Sequence, residues 1–333
     1  MTASADGLVL AVDGGGVKTD LALLDASGSL LAHVRGGRSQ FHYLGVDGCI
    51  AVLEGLLVTA LGEAGLDPHA RPSLATAQLL LAGIDIPEEL SALRAGLERL
   101  GWSDHLIVGN DTEALLRAGT DRGWGIAVVC GTGINCLGLA SDGREARFLS
   151  FGDISGDWGG GGDIGRAALA AAVRAADGRG PRSALEQVVP DHFGLADPFA
   201  VAQAVHLEQI PAARLGELTP LVLALRGQDA VADDIVARLC DEVVAFVRAA
   251  GGRLGLGGAD PDVVLGGRVL RSVSADVIDT IRTGVAAVAP RATVVVSPSE
   301  PIVGAALLGL DAVGADAAAR ERARADLDTA LAG

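Results

Sequence analysis

Short apolar runs joined by glycine-rich turns open the chain, and longer amphipathic stretches follow them. Leu8 to Val12 and Leu21 to Leu24 flank one such turn, and Leu30 to Val34 follows a second turn. Runs of this length between turn residues predict three strands in hairpin order. Helices and strands are then predicted in alternation: helix Val46 to Ala64, strand Gln78 to Ala82, helix Pro87 to Leu100, strand His105 to Val108 and helix Thr112 to Ala118. The pattern therefore predicts a mixed sheet covered by helices.

The same order of elements begins again at Gly125. A predicted strand ends at Cys130, Gly131-Thr132-Gly133 forms the turn, and a second strand covers Asn135 to Ala140. Asp142-Gly143 then turns the chain into a third predicted strand, Arg147 to Phe151. Because strand, glycine turn, strand, turn and strand occur twice, about 115 residues apart, the simplest interpretation is an internal duplication of one α/β unit. Two unrelated hairpins are the alternative.

The second half of the chain is mostly helical. A glycine-rich stretch, Gly152 to Gly165, precedes a helical block over residues 166–253. The elements predicted after it are loop Gly255 to Asp260, strand Asp262 to Leu265, helix Val269 to Val288, strand Ala292 to Val296, a helix beginning near Pro301, and a solvent-facing helix over Ala315 to Leu331.

Composition limits the class of protein. The chain has 333 residues, half of them hydrophobic, which suffices for two domains or one large α/β unit. Its formal charge of −16 and pI near 4.7 argue against nucleic acid or an anionic membrane as a partner. Met1 to Gly7 lacks the features of a signal peptide, and no uncharged apolar run approaches the roughly 18 residues of a membrane-spanning helix. Four cysteines without C-x-x-C spacing favour a reduced, cytoplasmic setting over a disulfide framework or a zinc site.

The turn between the first two strands carries candidate chemistry. Its residues of interest are Asp13, Gly14, Gly15, Gly16, Lys18 and Thr19. Glycines without Cβ atoms let backbone N–H groups approach an anion, and Lys and Thr side chains can reach phosphate oxygens. Asp13 can hold a hydrated divalent cation, and Lys18 is the only lysine in the chain. An ordinary glycine-rich hairpin is the alternative interpretation, since the spacing matches neither G-x-x-x-x-G-K-[ST] nor G-x-G-x-x-G.

Glycine elements recur in order along the chain. They are the first turn, Gly131-Thr132-Gly133, Gly156 to Gly162, and Gly266-Gly267. This order resembles the sugar kinase, Hsp70 and actin superfamily. Within it, Asn110-Asp111, the string Gly131 to Cys136, and Ser155-Gly156-Asp157 followed by Trp158 and four glycines resemble the BadF/BadG/BcrA/BcrD ATPase family, in particular its N-acetylglucosamine kinase-like members. The resemblance covers almost the whole chain.

The resemblance implies an α/β fold of two duplicated actin-like (ribonuclease H-like) domains with a nucleotide cleft between them. The expected domains are residues 1–118 on the sugar and phosphate side, residues 119–313 on the nucleotide side with a helical insertion at 166–253, and a C-terminal helix at 314–333. ATP and Mg²⁺ are the implied cofactors, with Asp13 holding the metal through water, and a homodimer is the implied assembly. The implied nucleotide contacts are Gly14, Gly15, Gly16, Lys18 and Thr19 from the first turn, Gly131, Thr132 and Gly133 from the second, and Gly266 and Gly267 against the adenosine.

Asp111 is the candidate catalytic base. It follows an apolar strand, so its carboxylate is expected at the carboxyl end of the sheet, where α/β proteins bind ligands. There it can accept the proton of a hydroxyl that attacks the γ-phosphate. It can also serve as the N-cap of the helix that follows, with Glu113 in the first turn, and the two roles are compatible.

The resemblance implies further polar contacts to the sugar. They are Gln40, Asn110, Thr132, Asn135 and Asp157. Gln40 stands where family members commonly carry an asparagine, so the substituent at the second carbon of the sugar stays open. Asp163 is predicted to be a helix cap rather than a ligand.

The resemblance thus implies an ATP-dependent amino-sugar kinase. N-acetylglucosamine, phosphorylated at its 6-hydroxyl, is the leading substrate, with glucosamine and N-acetylmuramic acid as alternatives. A second hypothesis is an ATPase that activates a 2-hydroxyacyl-CoA dehydratase or benzoyl-CoA reductase through an iron–sulfur cluster between subunits, for which Cys130 and Cys136 are the only close cysteine pair. A third hypothesis, an inactive sugar-binding regulator, is disfavoured because Asp13, Asp111 and the second glycine turn are intact.

Overall fold

The computed structural model describes residues 7–68 and 74–332. Met1 to Gly7, for which the sequence predicts no signal peptide, therefore lies outside the described residues except for Gly7. The strands are β1 (Leu8–Gly14), β2 (Thr19–Leu24), β3 (Leu30–Gly36), β4 (Leu74–Leu81), β5 (Leu106–Gly109), β6 (Gly125–Cys130), β7 (Ile134–Leu139), β8 (Glu145–Arg147), β9 (Asp262–Gly266) and β10 (Thr293–Val296). The helices are α1 (Phe41–Glu63), α2 (Pro87–Glu98), α3 (Asp111–Gly119), α4 (Gly161–Ala176), α5 (Leu185–Phe193), α6 (Pro198–His206), α7 (Thr219–Ala224), α8 (Ala230–Leu254), α9 (Gly267–Ser272), α10 (Ala275–Val288), α11 (Pro301–Ala312) and α12 (Ala317–Ala332). Short 3₁₀ segments cover Gly152–Ile154, Ala212–Leu218 and Leu256–Gly258.

Two five-stranded sheets have the same strand order. The first runs β3-β2-β1-β4-β5 and the second β8-β7-β6-β9-β10. In the first sheet β1 is antiparallel to β2 and parallel to β4, and β4 is parallel to β5. Each sheet therefore repeats one plan, a three-strand meander followed by two later strands, and the predicted duplication is confirmed.

Contacts divide the chain into two compact units. The first contains the chain through Ala127, Arg147–Leu149 and the segment from Ser297 onward, and the second contains Val128–Ala146 and Ser150–Val296. This division differs from the predicted bounds at 118 and 313, because α11 packs on β1 and α3 of the first unit. The approach is so close that a Cβ on Gly304 would lie 1.9 Å from the carbonyl oxygen of Ala114.

The first sheet is buried on both faces. Leu8, Leu10 and Val12 point to one face, into a core completed by α1 and α2, and Val9 and Ala11 point to the other, against α11 and α12. This alternation is the period of two that a strand imposes on its side chains. Near-continuous apolar runs such as β1 and β2 are typical of sheets covered on both sides.

One helix among the described residues, α1, is long and apolar enough to span a membrane by length and composition. Six of its side chains are buried, including Leu53, Leu57 and Leu61, which belong to the core of the first sheet. These side chains place one side of the helix against the first sheet.

Some predicted boundaries were wrong for local reasons. Helix α1 begins at Phe41 rather than Val46, with a kink at Gly45, whose φ of 64° interrupts the helix within its first turns. The third strand of the second sheet is Glu145–Arg147 rather than Arg147 to Phe151. The turn before it is tight, since Ala140 N–H donates to Arg144 O at 2.9 Å, so strand pairing resumes directly after Arg144.

Two C-terminal predictions also need correction. The helix predicted over Val269 to Val288 is two helices, α9 and α10, because the backbone is extended at Val273 and Ser274. The predicted solvent-facing helix α12 buries Ala319, Ala323 and Leu327. These residues recur every four positions and so lie on one face of the helix, and Ala323 and Leu327 belong to the core of the first unit.

Candidate functional site

The carboxyl ends of β1, β4 and β5 meet at one edge of the first sheet, because the three strands are mutually parallel. Asp13 is the second-last residue of β1, and Asp111 lies two residues beyond the end of β5. The sequence pattern missed Asp85, which follows β4 by four residues. The rule that singled out Asp111, a carboxylate just beyond a parallel strand, would have found it.

The first glycine turn is a hairpin tip, as predicted. Asp13 pairs with Asp20 and Gly14 with Thr19 across the two strands, and Gly15 N–H donates to Lys18 O at 2.8 Å. The turn between them therefore contains Gly15, Gly16, Val17 and Lys18. A Cβ on Gly14 would lie 2.1 Å from Leu81 Cδ2 and 2.3 Å from Ser39 Oγ, so a larger residue there would displace these side chains.

Two predicted phosphate contacts of the hairpin, Lys18 and Thr19, lie in different surroundings. The Thr19 hydroxyl is buried and donates to Ser39 Oγ at 2.8 Å. The Lys18 side chain is about one-third exposed, and its Nζ lies 3.0 Å from Asp20 Oδ2 and 3.3 Å from Glu300 Oε2. The Lys18 ammonium is thus accessible to solvent at this hairpin. The Thr19 hydroxyl instead stabilises the segment before Gln40 through its hydrogen bond to Ser39.

The pKa values of Asp13 and Asp111 are both raised. Burial, followed by the charges of Asp111, Asp20 and Glu300, raises the pKa of Asp13 well above its usual value, while Lys18 lowers it. Burial and the charge of Asp85 raise the pKa of Asp111 to about 7, against hydrogen bonds from backbone N–H groups. The edge of the first sheet therefore concentrates negative charge, and a cation or a proton there is stabilised.

Asn110, rather than Asp111, caps helix α3. Its Oδ1 accepts from Thr112 N–H at 3.1 Å, and Glu113 Oε1 accepts from Asn110 N–H at 3.2 Å, which completes a capping box. The Asn110 amide nitrogen donates to Ile84 O at 3.1 Å and to Asp85 Oδ1 at 2.9 Å. The buried Asn110 side chain, predicted to bind substrate, thereby ties the Asp85 loop to the start of the Asp111 helix.

Gln40 lies beside the loop that follows β4. A Cβ on Gly83, whose φ is +78°, would lie 3.0 Å from Gln40 Cγ and 3.4 Å from His42 Nδ1. The Gln40 Oε1 atom is buried and has no hydrogen-bond partner among the described residues. An unpartnered buried acceptor is costly, and a ligand N–H or O–H group would satisfy it.

His42, Asp85 and Glu89 are the cluster of potential metal ligands found among the described residues. Their ligand atoms lie within 4.8 Å of one another. His42 Nε2 and Glu89 Oε1 are already paired at 2.7 Å, and Glu89 Oε2 accepts from Asp85 N–H at 2.9 Å. The internal hydrogen bonds of this cluster explain its geometry without a metal.

The glycine elements of the second unit converge on one turn. Gly161 N–H donates to Gly131 O at 2.9 Å, and a Cβ on Gly160 would lie 2.3 Å from Gly133 Cα. Gly267, with a φ of +85°, would place a Cβ 2.4 Å from Cys130 O. The predicted elements 131–133 and 266–267 therefore share one small region with the 159–162 run, and Thr132 is exposed at its surface.

The other predicted sugar contacts of the second unit have local partners. Asn135 Oδ1 accepts from Cys136 N–H at 2.7 Å, and Asp157 accepts a short hydrogen bond from Ser155 Oγ. Asp163 Oδ2 accepts from Gly159 and Gly160 N–H groups at 3.1 and 2.9 Å, so it caps α4 as predicted.

All four cysteines are buried. Burial raises the pKa of Cys49 to about 11, of Cys136 above its usual range and of Cys130 well above it. Thiols in such surroundings are protonated near neutral pH and are poor ligands and nucleophiles.

Solved structures share this fold. A provisionally assigned N-acetylglucosamine kinase from Chromobacterium violaceum superposes with a TM-score of 0.69 at 24% identity, over 92% of this chain and 100% of that chain. A ROK family glucokinase from Streptomyces griseus, in complex with glucose and AMPPNP, gives a TM-score of 0.54 at 19% identity, over 91% and 98% of the two chains. The predicted fold of two actin-like α/β domains is confirmed.

Two relatives found by sequence comparison are kinases of N-acetylated amino sugars. An N-acetylmuramic acid/N-acetylglucosamine kinase from Clostridium acetobutylicum is 30% identical over 72% of this chain and 78% of its own length. An N-acetyl-D-glucosamine kinase from Dictyostelium discoideum is 26% identical over 91% and 98% of the two chains. The sequence profile of one family matches residues 10–309, which is nearly the whole chain. The protein therefore belongs to the BadF/BadG/BcrA/BcrD ATPase family.

Proposed function

We propose that the protein is an ATP-dependent amino-sugar kinase, with N-acetylglucosamine as its leading substrate and the 6-phosphate as product. The observation that carries the proposal is Asp111, a partly buried carboxylate at the carboxyl edge of the first sheet whose pKa is raised to about 7. The names of the Clostridium and Dictyostelium relatives support the substrate class.

Asp111 is the proposed general base. A carboxylate with a pKa near the working pH accepts a proton more readily than an ordinary aspartate, which suits it to take the proton of the attacking sugar hydroxyl. Asn110 and Asp85 fix the start of its helix. Phosphoryl transfer depends mainly on such positioning and on charge stabilisation.

Mg²⁺ fits the residues around Asp13. The donors there are carboxylate oxygens, which hard divalent cations prefer, and the raised pKa of Asp13 indicates a site where added positive charge is favourable. We propose that Asp13 holds Mg²⁺ through water. When bound, the ion would neutralise charge on the transferred phosphates.

The nucleotide contacts are proposed from both units. The first unit, with its sugar and phosphate role, would supply Gly14, Gly15, Gly16 and Lys18, and Thr19 through its backbone. The second unit, with its nucleotide role, would supply Gly131, Thr132 and Gly133, with Gly266 and Gly267 against the adenosine. The helical block 166–253 belongs to this second unit.

The sugar contacts are proposed to be Gln40, Thr132, Asn135 and Asp157, with Asn110 shaping the site. The unpartnered Oε1 of Gln40 favours a substituent that donates a hydrogen bond, as an acetamido N–H group does. Glucosamine and N-acetylmuramic acid stay alternatives, the latter supported by the name of the Clostridium relative.

The alternative of an iron–sulfur activator is less well supported. Its cluster requires cysteine thiolates at a subunit surface. Here every cysteine is buried, and no thiol is activated. A cytoplasmic homodimer that avoids nucleic acid and membranes is proposed with the kinase, the charge of −16 supporting the absence of polyanionic partners.

The test is coupled ADP release with ATP and Mg²⁺ against N-acetylglucosamine, glucosamine, N-acetylmuramic acid, N-acetylmannosamine, glucose and no sugar. We expect sugar-dependent turnover that falls by about 10²- to 10⁴-fold in Asp111→Asn. Glu113→Gln is unsuitable as the control because it removes the ion pair with Arg147 at the start of the same helix. Glu88→Gln, an exposed change on α2, serves instead. Sugar-independent ATP hydrolysis, or unchanged turnover in Asp111→Asn, would refute the proposal.

A further inference from the structure

Asp20 is a buried carboxylate to which the proposed chemistry gives no task. It accepts from Arg35 Nε at 2.7 Å, and its oxygens lie 3.0 Å from His33 Nε2 and 3.0 Å from Lys18 Nζ. Burial alone would raise the pKa of Asp20, but the hydrogen bonds from His33, Arg35 and Lys18 hold it well below its usual value. Asp20 is thus a charged, immobile anchor on β2.

Glu300 contacts the same lysine from a different part of the chain. Its Oε2 lies 3.3 Å from Lys18 Nζ across 282 positions of sequence. The Glu300 side chain is 32% exposed, in contrast to the fully buried Asp20. Glu300 is the N-cap residue of α11, yet its side chain makes no capping hydrogen bond. Its contact with Lys18 is therefore separate from the capping of the helix.

The two carboxylates occupy two of the three N–H donors that a lysine ammonium offers. A nucleotide phosphate drawn to Lys18 meets the negative charge of Glu300 at the same atom. Asp20 is fully buried and is held by Arg35 and His33, whereas the Glu300 side chain is partly exposed to solvent. When a nucleotide phosphate replaces Glu300 at Lys18, the ammonium is paired with an anion both with and without bound nucleotide.

We propose that Glu300 competes with the nucleotide phosphates for Lys18, while Asp20 keeps the ammonium at the hairpin, so that Glu300 sets the affinity of the protein for nucleotide. The inference rests on the proposed use of ATP. Glu300 is then a positioning residue that acts on the nucleotide through Lys18. It weakens the binding of both ATP and ADP, and so favours the release of ADP.

The first experiment is calorimetric titration with Mg²⁺–AMPPNP and with Mg²⁺–ADP. Wild type is compared with Glu300→Gln, Lys18→Met and the double variant. Glu98→Gln is the matched control, since it removes the same charge from an exposed ion pair with Arg94 in the same unit. We expect Glu300→Gln to bind both nucleotides about three- to five-fold more tightly than wild type, with no gain from Glu98→Gln and none from Glu300→Gln in the Lys18→Met background.

An unchanged or weakened affinity in Glu300→Gln overturns the inference. An equal gain in the presence and absence of Lys18 also overturns it, because Glu300 would then act by direct repulsion. If wild type binds neither nucleotide, the proposed function itself fails, which separates the two conclusions. Thermal unfolding of each variant checks that the fold is retained.

A spectroscopic readout tests the exchange at Lys18 directly. Reductive ¹³C-methylation labels only Lys18 and the N-terminal amine, because the chain has no other lysine. We expect the Lys18 methyl resonance to shift in Glu300→Gln without nucleotide, and to shift on addition of Mg²⁺–AMPPNP in wild type. If the Lys18 methyl resonance shifts in neither case, Glu300 and the nucleotide do not compete for Lys18, and the inference is refuted.

Discussion

At the scale of single residues, carboxylates with opposite ionisation behaviour lie near one another in the first unit. Hydrogen bonds from basic side chains lower the pKa of Asp20, which stays charged. Burial and neighbouring carboxylates raise the pKa values of Asp13 and Asp111. Such separation of pKa values is typical of sites that hold a metal and move a proton. A cost in stability accompanies it, because a buried charge without an ion partner destabilises the folded state.

The cost at Asp111 depends on pH. Its pKa is about 7 in the folded protein and near 4 in an unfolded chain, so stability falls as pH rises between these values and stays low above them. We therefore expect Asp111→Asn, without nucleotide or Mg²⁺, to stabilise the first unit by about 2–4 kcal/mol at pH 8 and hardly at all near pH 4. Urea unfolding at the two pH values measures this, and an equal gain at both would contradict it.

Asp85 contributes to the basicity of Asp111 through its charge. Asp85→Asn should lower the pKa of Asp111 and shift the acid limb of the kcat/KM profile to lower pH, by about half a unit or more. Glu88→Gln, an exposed change three residues further along the chain, should leave the limb in place. A profile that falls in height without moving would assign Asp85 a purely structural role.

At the scale of elements, local patterns predicted most of the fold. The hairpin tip, the second glycine turn and both meanders follow from glycines placed between short apolar runs, which are signals contained within a few residues. What escaped prediction depends on distant parts of the chain: the burial of one face of α12, and the contact of Glu300 with Lys18 across 282 positions. The two-residue shift of β8 shows the limit of local signals, since the length of its turn, not its apolar residues, fixes where pairing resumes.

The packing of α11 on α3 yields a test at this scale. Gly304→Ala would bring a Cβ to 1.9 Å from the carbonyl oxygen of Ala114, and we expect a loss of about 1–3 kcal/mol or more in the free energy of unfolding. Gly55→Ala in α1 is the matched control, because no atom lies within 4 Å of its added Cβ. That change should stabilise the helix by about 0.5–1 kcal/mol. Similar effects of the two changes in urea unfolding would refute the tight helix contact.

At the scale of the whole molecule, both units keep their cysteines in apolar interiors. All four are buried, one in the first unit and three in the second. We expect a thiol reagent such as Ellman's to react with none of them rapidly in the native protein and with all four after denaturation. Rapid modification of one or more native thiols, or iron bound to the purified protein, would return weight to the activator hypothesis.

The return of the chain to its first unit has a consequence for its synthesis. The first unit needs α11 and α12 to cover one face of its sheet, and these helices follow the whole second unit along the chain. The second unit is complete by Val296 and does not await them. During translation the second unit can therefore be completed before the first. Until α11 and α12 have been added, one apolar face of the central strands of the first unit lacks its native cover, and such exposed surface favours aggregation.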